Sequence, residues 1–235
     1  MKRPKTICHI LQSVDGNIDG DFFGREELLP ALREFSSIRE RYACDAVVSG
    51  AVTAKEIYTK GYKAPLPRTA ERFPRTDHVA AKAAKYAVII DGLGTLYWPT
   101  GEVYRKDETL HVISVLQENV SDAYISHLRA AGVSYLFAGK EELDLSLAVR
   151  KLAESFEIKR ILLSGGGVVD WAFLQAGLVD EVSLVIPPIV DGGTGRASSF
   201  DNSAFAVGHA PVALRLIDVT RLTGDSLWLR YGAAP

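Results

Sequence analysis

The sequence predicts an α/β protein of three layers, α/β/α, in which helices cover a mixed, mostly parallel sheet. The first observation is the alternation of short apolar runs with helical patterns along most of the chain, which is typical of strands joined by crossover helices. The second is the segment VALRLIDVTRLTGDSLWLRYG, whose two β-like runs flank Thr223-Gly224-Asp225 and indicate a C-terminal antiparallel hairpin. Because no linker or internal repeat divides the chain, we expect one domain over residues 1–235.

Each strand is predicted from a short apolar run, and each helix from apolar residues that recur every three or four positions. The predicted strands are Thr6 to Leu11, DAVVSG, KYAVIID, LHVISV, VSYLFAG, Arg160 to Leu163 and Glu181 to Ile186. The predicted helices are Arg25 to Tyr42, AVTAKEIY, SDAYISHLRAAG, DLSLAVRKLAESF and Val168 to Gln175. Ser121 is a suitable N-cap for the third of these helices, and Gly132 follows its end.

Composition excludes several classes of function. A net charge of −2 argues against nucleic acid as a partner, because binding to a phosphate backbone needs a basic surface. Cys8 and Cys44 form no C-x-x-C pair, so we expect reduced, buried thiols. The five histidines show no metal-ligand spacing, and no metal site is expected. No signal peptide or membrane span is evident, so we expect a cytoplasmic protein without a membrane partner.

A glycine triplet, Gly165 to Gly167, stands between a predicted strand and a predicted helix in RILLSGGGVVDW. Backbone N–H groups at such a turn favour a phosphate, and glycine lets the phosphate approach closely. A Rossmann fingerprint is excluded, since Asp170 occupies the third glycine position and the next strand ends in Pro187-Pro188 instead of an acidic residue. A P-loop is excluded because no Gly-Lys-Ser/Thr follows. A tight turn without a ligand remains the structural alternative.

Two other predicted strands also end in small or flexible residues. VSGAVTAKE places Gly50 and Thr53 after one strand, and SVDGNIDG follows the first strand. Because the carboxyl ends of parallel strands lie at one edge of a sheet, an extended dinucleotide could contact all three ends.

Four blocks together resemble the reductase domain of bacterial riboflavin biosynthesis deaminase-reductases. They are LQSVDGNIDG, VVSGAVTAKEI, YAVIIDG and ILLSGGGVVDWAFLQAGLVDEVSLVIPPIVDGGTG, and they keep the family's order and spacing over most of the chain. The resemblance implies a dihydrofolate-reductase-like fold, NADPH as cofactor and reduction of a phosphoribosylamino-pyrimidine to its ribityl form. It also suggests a homodimer. No deaminase zinc signature is present, so we expect the reductase activity alone.

The resemblance also assigns residues to the cofactor. Gly165, Gly166, Gly167 and Val168 would lie against its pyrophosphate, and Gly50 and Thr53 would contact it as well. Ser13 and Asp15 would border the nicotinamide and substrate region, and Asp15 is the catalytic candidate there. An alternative for Asp15 is a loop carboxylate that accepts hydrogen bonds from nearby backbone amides.

The chain departs from the family pattern after Thr53. The family usually places an Asp-Pro pair a few residues later, with the Asp on the substrate, whereas here Ala54, Lys55, Glu56 and Ile57 follow. Glu56 is the candidate replacement, with a solvated helix face as its alternative. The departure leaves open a reductase of the same fold with another small substrate, or an NADPH-binding protein without turnover.

A long basic loop, Thr59 to Thr76, offers cations for a phosphorylated substrate. Arg68, Arg72 and Arg75 are the substrate-binding candidates in this loop, as is Arg25 just after the first loop. Arginine suits this role because its guanidinium binds phosphate through two parallel hydrogen bonds. A solvated lid is the alternative interpretation of the loop.

Overall fold

A computed structural model describes residues 2–105, 108–202 and 210–233. The strands are β1 (Lys5–Leu11), β2 (Ala46–Gly50), β3 (Tyr86–Ile90), β4 (Glu102–Arg105), β5 (Glu108–Leu116), β6 (Ser134–Phe137), β7 (Arg160–Leu163), β8 (Glu181–Ile186), β9 (Leu214–Arg221) and β10 (Leu227–Ala233). The α-helices are α1 (Leu29–Tyr42), α2 (Ala51–Ala54), α3 (Asp122–Ala130), α4 (Leu145–Phe156) and α5 (Gly167–Gln175). Helix α2 runs directly into a π-helical turn, Lys55–Thr59.

The contacts of the chain fall into two compact units. Unit 1 contains residues 1–4 and 45–159, and unit 2 contains residues 5–44 and 160–235. The single domain over residues 1–235 stays a prediction.

In unit 1 the strand order is β4-β5-β3-β2, and β6 also pairs with β5. The pairs β2–β3, β3–β5 and β5–β6 are parallel, whereas β4 is antiparallel to β5. The core of this unit holds the large side chains of Trp98, Tyr124 and Tyr135, each at most 2% exposed. The parallel strands read as almost continuous apolar runs because both of their faces are buried.

In unit 2 the strand order is β7-β1-β8-β10-β9. Strand β1 lies parallel to β7 and β8, and β10 is antiparallel to both β8 and β9. Helix α1 buries Ala31 and Ile38 in a cluster with Leu11, Leu28 and Val185. The predicted fold class is therefore confirmed as mixed α/β, with mostly parallel pairing and a C-terminal antiparallel hairpin.

Two elements differ from the sequence-based expectation. Helix α1 begins at Leu29 instead of Arg25, because residues 26–28 form a 3₁₀ turn and Pro30 fits the first turn of the helix. Strand β4 was not predicted at all. It is a short strand with alternating burial whose pairing with β5 is set by tertiary contacts.

Within the described residues, no helix is long and apolar enough to cross a membrane.

Candidate active site

The glycine triplet forms the turn between β7 and α5 in unit 2. Gly165 has φ of +85°, a left-handed conformation that favours glycine, and the peptide bond between Gly165 and Gly166 is cis. A β-carbon built on Gly165 would meet no atom of the described residues within 4 Å, so among these residues the space beside this backbone is open. At Gly167 the situation is the opposite, since the carbonyl oxygen of Ser198 occupies the space of a β-carbon. The triplet therefore combines an open backbone at Gly165 with close packing at Gly167.

Helix α5 begins directly after this turn with Gly166 as its N-cap, and none of the described side chains caps its first N–H groups. Uncapped N–H groups at the positive end of a helix dipole can bind an anion. The side chain of Val168 in the first turn is 40% exposed. This end of the helix has the local features that a pyrophosphate requires.

Asp170 lies on the same turn of α5 but is fully buried, beside the thiol of Cys8. Among the described residues, no hydrogen bond of ordinary geometry reaches either carboxyl oxygen. Burial raises the pKa of Asp170 to about 8. The carboxyl group is therefore mostly protonated at neutral pH, and it adds little negative charge beneath a turn that could receive a phosphate.

The loop after β1 is held by Asp15. Its carboxylate accepts hydrogen bonds from the Ser13 hydroxyl at 2.6 Å and from the backbone N–H groups of Asp191 at 3.0 Å and Gly192 at 2.8 Å. The Ser13 hydroxyl bond, followed by the two backbone bonds, lowers the pKa of Asp15 to about 2. The geometry is that of the loop carboxylate named as the alternative, and a direct catalytic role for Asp15 stays a prediction.

Contacts within unit 2 connect this loop to the glycine triplet. Asn17 forms an isolated antiparallel bridge with Ser198, and the N–H of Ile18 donates to the carbonyl of Ala197. Ser198 in turn packs on Gly167, and the N–H of Asp201 donates to the Gly167 carbonyl at 3.1 Å. Two of the three strand ends singled out in the sequence are therefore joined through the segment 197–201.

Among the described residues, no hydrogen bond or ion pair connects the side chain of Arg25 to the glycine triplet or to Asp15. It is the N-cap of a 3₁₀ turn, and its guanidinium pairs with Glu27 at 3.1 Å on the surface. A role for Arg25 in substrate binding stays a prediction.

In unit 1, Gly50 ends β2 and is the N-cap of α2, again without a capping side chain in the part of the chain that the structure describes. Thr53 on α2 is half-buried, whereas Glu56 on the following π-helical turn is exposed. The exposed position of Glu56 fits the solvated helix face named as its alternative. The roles of Gly50 and Thr53 toward the cofactor and of Glu56 toward the substrate stay predictions.

The basic loop is irregular, as predicted, but its arginines differ in their contacts. Arg72 pairs with Asp122 at 3.0 Å while its side chain is 92% exposed. Arg75 pairs with the same carboxylate at 2.8 Å and also donates to the carbonyls of Phe73, Glu118 and Val120. Arg68 is exposed, and within the described part of the chain it has no carboxylate partner. Substrate binding by Arg68 and Arg72 stays a prediction.

Sequence reasoning missed a cavity beside α2. This α2 cavity has a volume of about 240 Å³ and lies entirely in unit 1. The polar and aromatic side chains that line it are Lys55, Thr59, Tyr62, Lys63, Thr95 and Tyr97. The sequence signal for it is the set of lysines that follows Thr53, namely Lys55, Lys60 and Lys63.

One wall of the α2 cavity is fixed by Asp91, which is only 3% exposed. Its carboxylate accepts hydrogen bonds from the N–H groups of Thr95 and Leu96, each at 2.9 Å, and from the hydroxyl of Tyr124 at 3.2 Å. The same Tyr124 hydroxyl donates to the Leu96 carbonyl at 2.8 Å. The backbone of residues 95–96 is therefore held in place without a ligand.

No cluster of three or more metal-ligating side chains occurs in the described ranges 2–105, 108–202 and 210–233. His209, one of the five histidines considered in the sequence, lies outside these residues. His9 is buried, its Nδ1 lies 2.9 Å from the Ser183 hydroxyl, and burial lowers its pKa to about 4. His9 is thus a neutral, packed side chain.

Comparison with known proteins places the chain in a family. Residues 4–227 match the family described as the RibD C-terminal domain. The chain belongs to this family. A curated RibD-type relative from Methanothermobacter thermautotrophicus, named 2,5-diamino-6-ribosylamino-4(3H)-pyrimidinone 5′-phosphate reductase, is 28% identical over 97% of this chain and 98% of its own length.

Solved structures of the RibD type share the fold. The chain superposes on RibD from Acinetobacter baumannii with a TM-score of 0.66 and 20% identity, over 99% of this chain. It spans only 58% of the length of that RibD chain. A pyrimidine reductase-like protein from Corynebacterium diphtheriae matches with a TM-score of 0.67 and 16% identity, over 99% of this chain and 92% of its own. The fold implied by the sequence resemblance is therefore confirmed.

Proposed function

We propose that this chain is an NADPH-dependent reductase of the riboflavin pathway, which converts the ribosyl group of a ribosylamino-pyrimidine 5′-phosphate into a ribityl chain. The observation that carries the proposal is the match to a relative named as a reductase of such a compound, which extends over 97% of this chain and 98% of the relative. Membership of the RibD C-terminal domain family supports it.

The glycine turn fits the proposed cofactor. The open space beside Gly165 and the uncapped start of α5 can accept the pyrophosphate of NADPH against Gly165, Gly166, Gly167 and Val168. Gly50 and Thr53 are proposed to hold another part of the cofactor, and Ser13 to border its nicotinamide. When bound, NADPH would supply the hydride, and the protein would supply position and electrostatics.

The reaction also needs one proton. As the ribosyl group becomes ribityl, the C1′–O4′ bond breaks, C1′ gains a hydride and O4′ gains a proton. Asp15 carries no proton at neutral pH, because its hydrogen bonds lower its pKa to about 2. We therefore propose that Asp15 acts by holding the loop of Ser13 in place, and that the proton comes from water.

An absorbance assay with purified protein tests the proposal. NADPH oxidation is followed after addition of 5-amino-6-(5-phosphoribosylamino)uracil or of 2,5-diamino-6-ribosylamino-4(3H)-pyrimidinone 5′-phosphate. Turnover with either compound supports the pathway, and the faster substrate identifies the preferred ring. Tight binding of NADPH without oxidation in the presence of either compound would contradict the proposal.

The missing Asp-Pro pair after Thr53 favours one second candidate, a reductase of the same fold that acts on a different small substrate. The exposed position of Glu56 leaves the family's substrate carboxylate without an evident replacement. Oxidation of NADPH by other carbonyl compounds or pterins, but not by the two pyrimidine phosphates, would support this candidate. Binding of NADPH without any turnover would support a non-catalytic protein.

We further propose a homodimer formed through the C-terminal hairpin. Strand β9 pairs with β10 on one side, and its side chains Leu216, Ile217 and Val219 are between 43% and 52% exposed. An edge strand with apolar side chains readily pairs with a second chain. Light scattering would measure the mass in solution. We place the enzyme in the cytoplasm, with a small phosphorylated substrate and without nucleic-acid or membrane partners.

A further inference from the structure

Asp191, in the loop after β8, has a carboxylate to which the proposed reaction assigns no role. Its side chain is only 3% exposed. The carboxylate accepts hydrogen bonds from the N–H of Phe22 at 3.4 Å, from the N–H of Gly193 at 3.2 Å and from the side-chain amide of Asn17 at 3.4 Å. A buried carboxylate needs such donors, because it has lost the water that would otherwise solvate it.

Packing and charge also hold the Asp191 carboxylate against the loop after β1. A β-carbon built on Gly20 would overlap a carboxylate oxygen of Asp191, so these two residues can approach only because Gly20 has no side chain. The guanidinium of Arg196 lies 3.7 Å from the same carboxylate and offsets its charge. The carboxylate is therefore fixed by contacts with both loops.

Asp15 makes the corresponding contacts in the opposite direction. Its carboxylate, from the loop after β1, accepts hydrogen bonds from the N–H groups of Asp191 and Gly192. The side-chain amide of Asn17 donates to both carboxylates, at 3.3 Å to Asp15 and at 3.4 Å to Asp191. Each carboxylate thus binds the other's loop. We term the side chains of Asp15, Asn17 and Asp191 the aspartate clasp.

Asn17 connects the aspartate clasp to Ser13. The N–H of Asn17 donates to the Ser13 hydroxyl oxygen at 3.0 Å, and the N–H of Ser13 donates to the Asn17 carbonyl at 2.9 Å. Ser13 is fully buried, and its hydroxyl donates to Asp15 at 2.6 Å. Asp191 therefore acts on Ser13 through Asn17, whose amide it binds.

We propose that Asp191 is a positioning residue of the reductase, which fixes Ser13 at the nicotinamide end of the cofactor through Asn17. This inference rests on the proposed function, in which Ser13 borders the nicotinamide. The adenosine half of NADPH should not depend on Asp191. The link from this loop to the glycine turn is made by the backbone of Asn17, Ile18 and Ser198, which a change of the Asp191 side chain leaves in place.

Calorimetric titration of the full chain with two ligands tests the proposal. The ligands are NADPH and adenosine 2′,5′-bisphosphate, which lacks the nicotinamide. The variant is Asp191→Asn, which removes the charge and keeps the size of the side chain. Asp19→Asn is the matched control, because Asp19 is an exposed carboxylate of the loop after β1. We expect Asp191→Asn to bind NADPH about tenfold more weakly, since it weakens charge-assisted hydrogen bonds, and to bind adenosine 2′,5′-bisphosphate as the wild type does.

A double variant tests whether the two carboxylates act together. Because Asp15 and Asp191 hold the same two loops, the loss of NADPH affinity in Asp15→Asn/Asp191→Asn should be smaller than the product of the two single losses. Asn17→Ala removes only the shared amide and should show the same contrast between the two ligands. This variant keeps the proposal testable if Asp191→Asn does not fold.

Amide hydrogen exchange measures the position of the loop without any ligand. In Asp191→Asn the N–H groups of Ser13, Asn17 and Phe22 should exchange faster than in the wild type, and in Asp19→Asn they should not. The proposal is overturned if Asp191→Asn exchanges these protons and binds NADPH as the wild type does. It is also overturned if NADPH and adenosine 2′,5′-bisphosphate lose affinity by the same factor, since a general loosening of the fold would affect both.

The turnover assay separates this result from the proposed function. A wild type that binds NADPH and shows the contrast in Asp191→Asn, but oxidises no NADPH with either pyrimidine phosphate, contradicts the proposed function only. A wild type that turns over, with the same kinetic constants in Asp191→Asn, contradicts the role of Asp191 only.

Discussion

The carbonyl oxygen of Ser198 occupies the space that a β-carbon on Gly167 would need, so these two residues can approach only because Gly167 has no side chain. The contact joins the segment 197–201 to the start of α5. Through the bridge between Asn17 and Ser198, it also links the loop after β1 to the glycine turn. The third glycine of the triplet therefore serves packing, whereas the first has open space beside it.

Replacing Gly167 with alanine should displace the backbone at Ser198. We expect Gly167→Ala to lower the free energy of unfolding by about 1–3 kcal/mol, since a methyl group must be forced into occupied space. Denaturant unfolding measures this change. Gly24→Ala is the matched control, because a β-carbon at Gly24 meets no atom of residues 2–105, 108–202 and 210–233 within 4 Å. Equal stability of the two variants would show that the contact is not tight in solution.

The glycine triplet also shows how far the sequence could be interpreted. Its place between a strand and a helix follows from local patterns, and the structure has β7 and α5 there. The packing of Ser198 on Gly167 was not predictable, because Ser198 follows an irregular segment whose path depends on nonlocal hydrogen bonds with Asn17, Ile18 and Asp15. The three successive glycines therefore indicated an unusual backbone conformation. The sequence could not show which glycine packs against Ser198 and which one is open to a ligand.

The pairing of Arg75 with Asp122 should matter more for stability than that of Arg72 with the same carboxylate. Arg75 is 29% exposed and makes further hydrogen bonds to three carbonyl groups, whereas Arg72 is 92% exposed. We expect Arg75→Ala to cost about 2–3 kcal/mol, and Arg72→Ala less than about 1 kcal/mol. Thermal unfolding of both variants measures the difference. Similar losses would contradict the interpretation that Arg75 anchors the basic loop.

The basic loop was predicted correctly as an irregular segment, but the ion pairs that its arginines form were not predicted. Arg72 and its carboxylate partner are 50 positions apart in the sequence, on a loop and on the first turn of α3. No local pattern indicates such a pair.

Asp15 should stabilise the fold only where it is ionised. Its hydrogen bonds lower its pKa from 3.8 in a free side chain to about 2 in the folded chain. Its contribution is therefore present above about pH 4 and is lost as the pH falls toward about 2. We expect Asp15→Asn to lower the melting temperature near neutral pH, and the difference from the wild type to shrink on acidification over this range. A difference that stays constant with pH would disprove the ionic role.

The same variant separates positioning from proton donation. If Asp15 only holds the loop of Ser13, Asp15→Asn should raise the Michaelis constants and leave the shape of the pH–rate profile above about pH 4 unchanged. A donor that loses its proton in this range would instead give a falling limb that disappears in the variant. Such a limb would restore the direct catalytic role predicted for Asp15.

Asp170 should make the stability of the fold depend on pH in the direction opposite to that of Asp15. Burial raises its pKa from 3.8 to about 8, so between these values the folded state keeps a proton that the unfolded state has released. Stability is then highest below about pH 4 and falls as the pH rises to about 8. Since one pKa unit corresponds to about 1.4 kcal/mol, the fall attributable to Asp170 is on the order of a few kcal/mol.

Asp170→Asn removes the ionisation and keeps the size of the side chain. We expect the variant to lose this part of the pH dependence and to be more stable than the wild type near pH 8. Denaturant unfolding at several pH values between about 4 and about 8 measures how the free energy of unfolding changes with pH. Infrared spectroscopy detects the carbonyl band of a protonated carboxyl group. That band should be present in the wild type at neutral pH and absent in Asp170→Asn. An unchanged slope together with an unchanged infrared spectrum would show that Asp170 is ionised in the folded chain, and that its charge lies beneath the glycine turn.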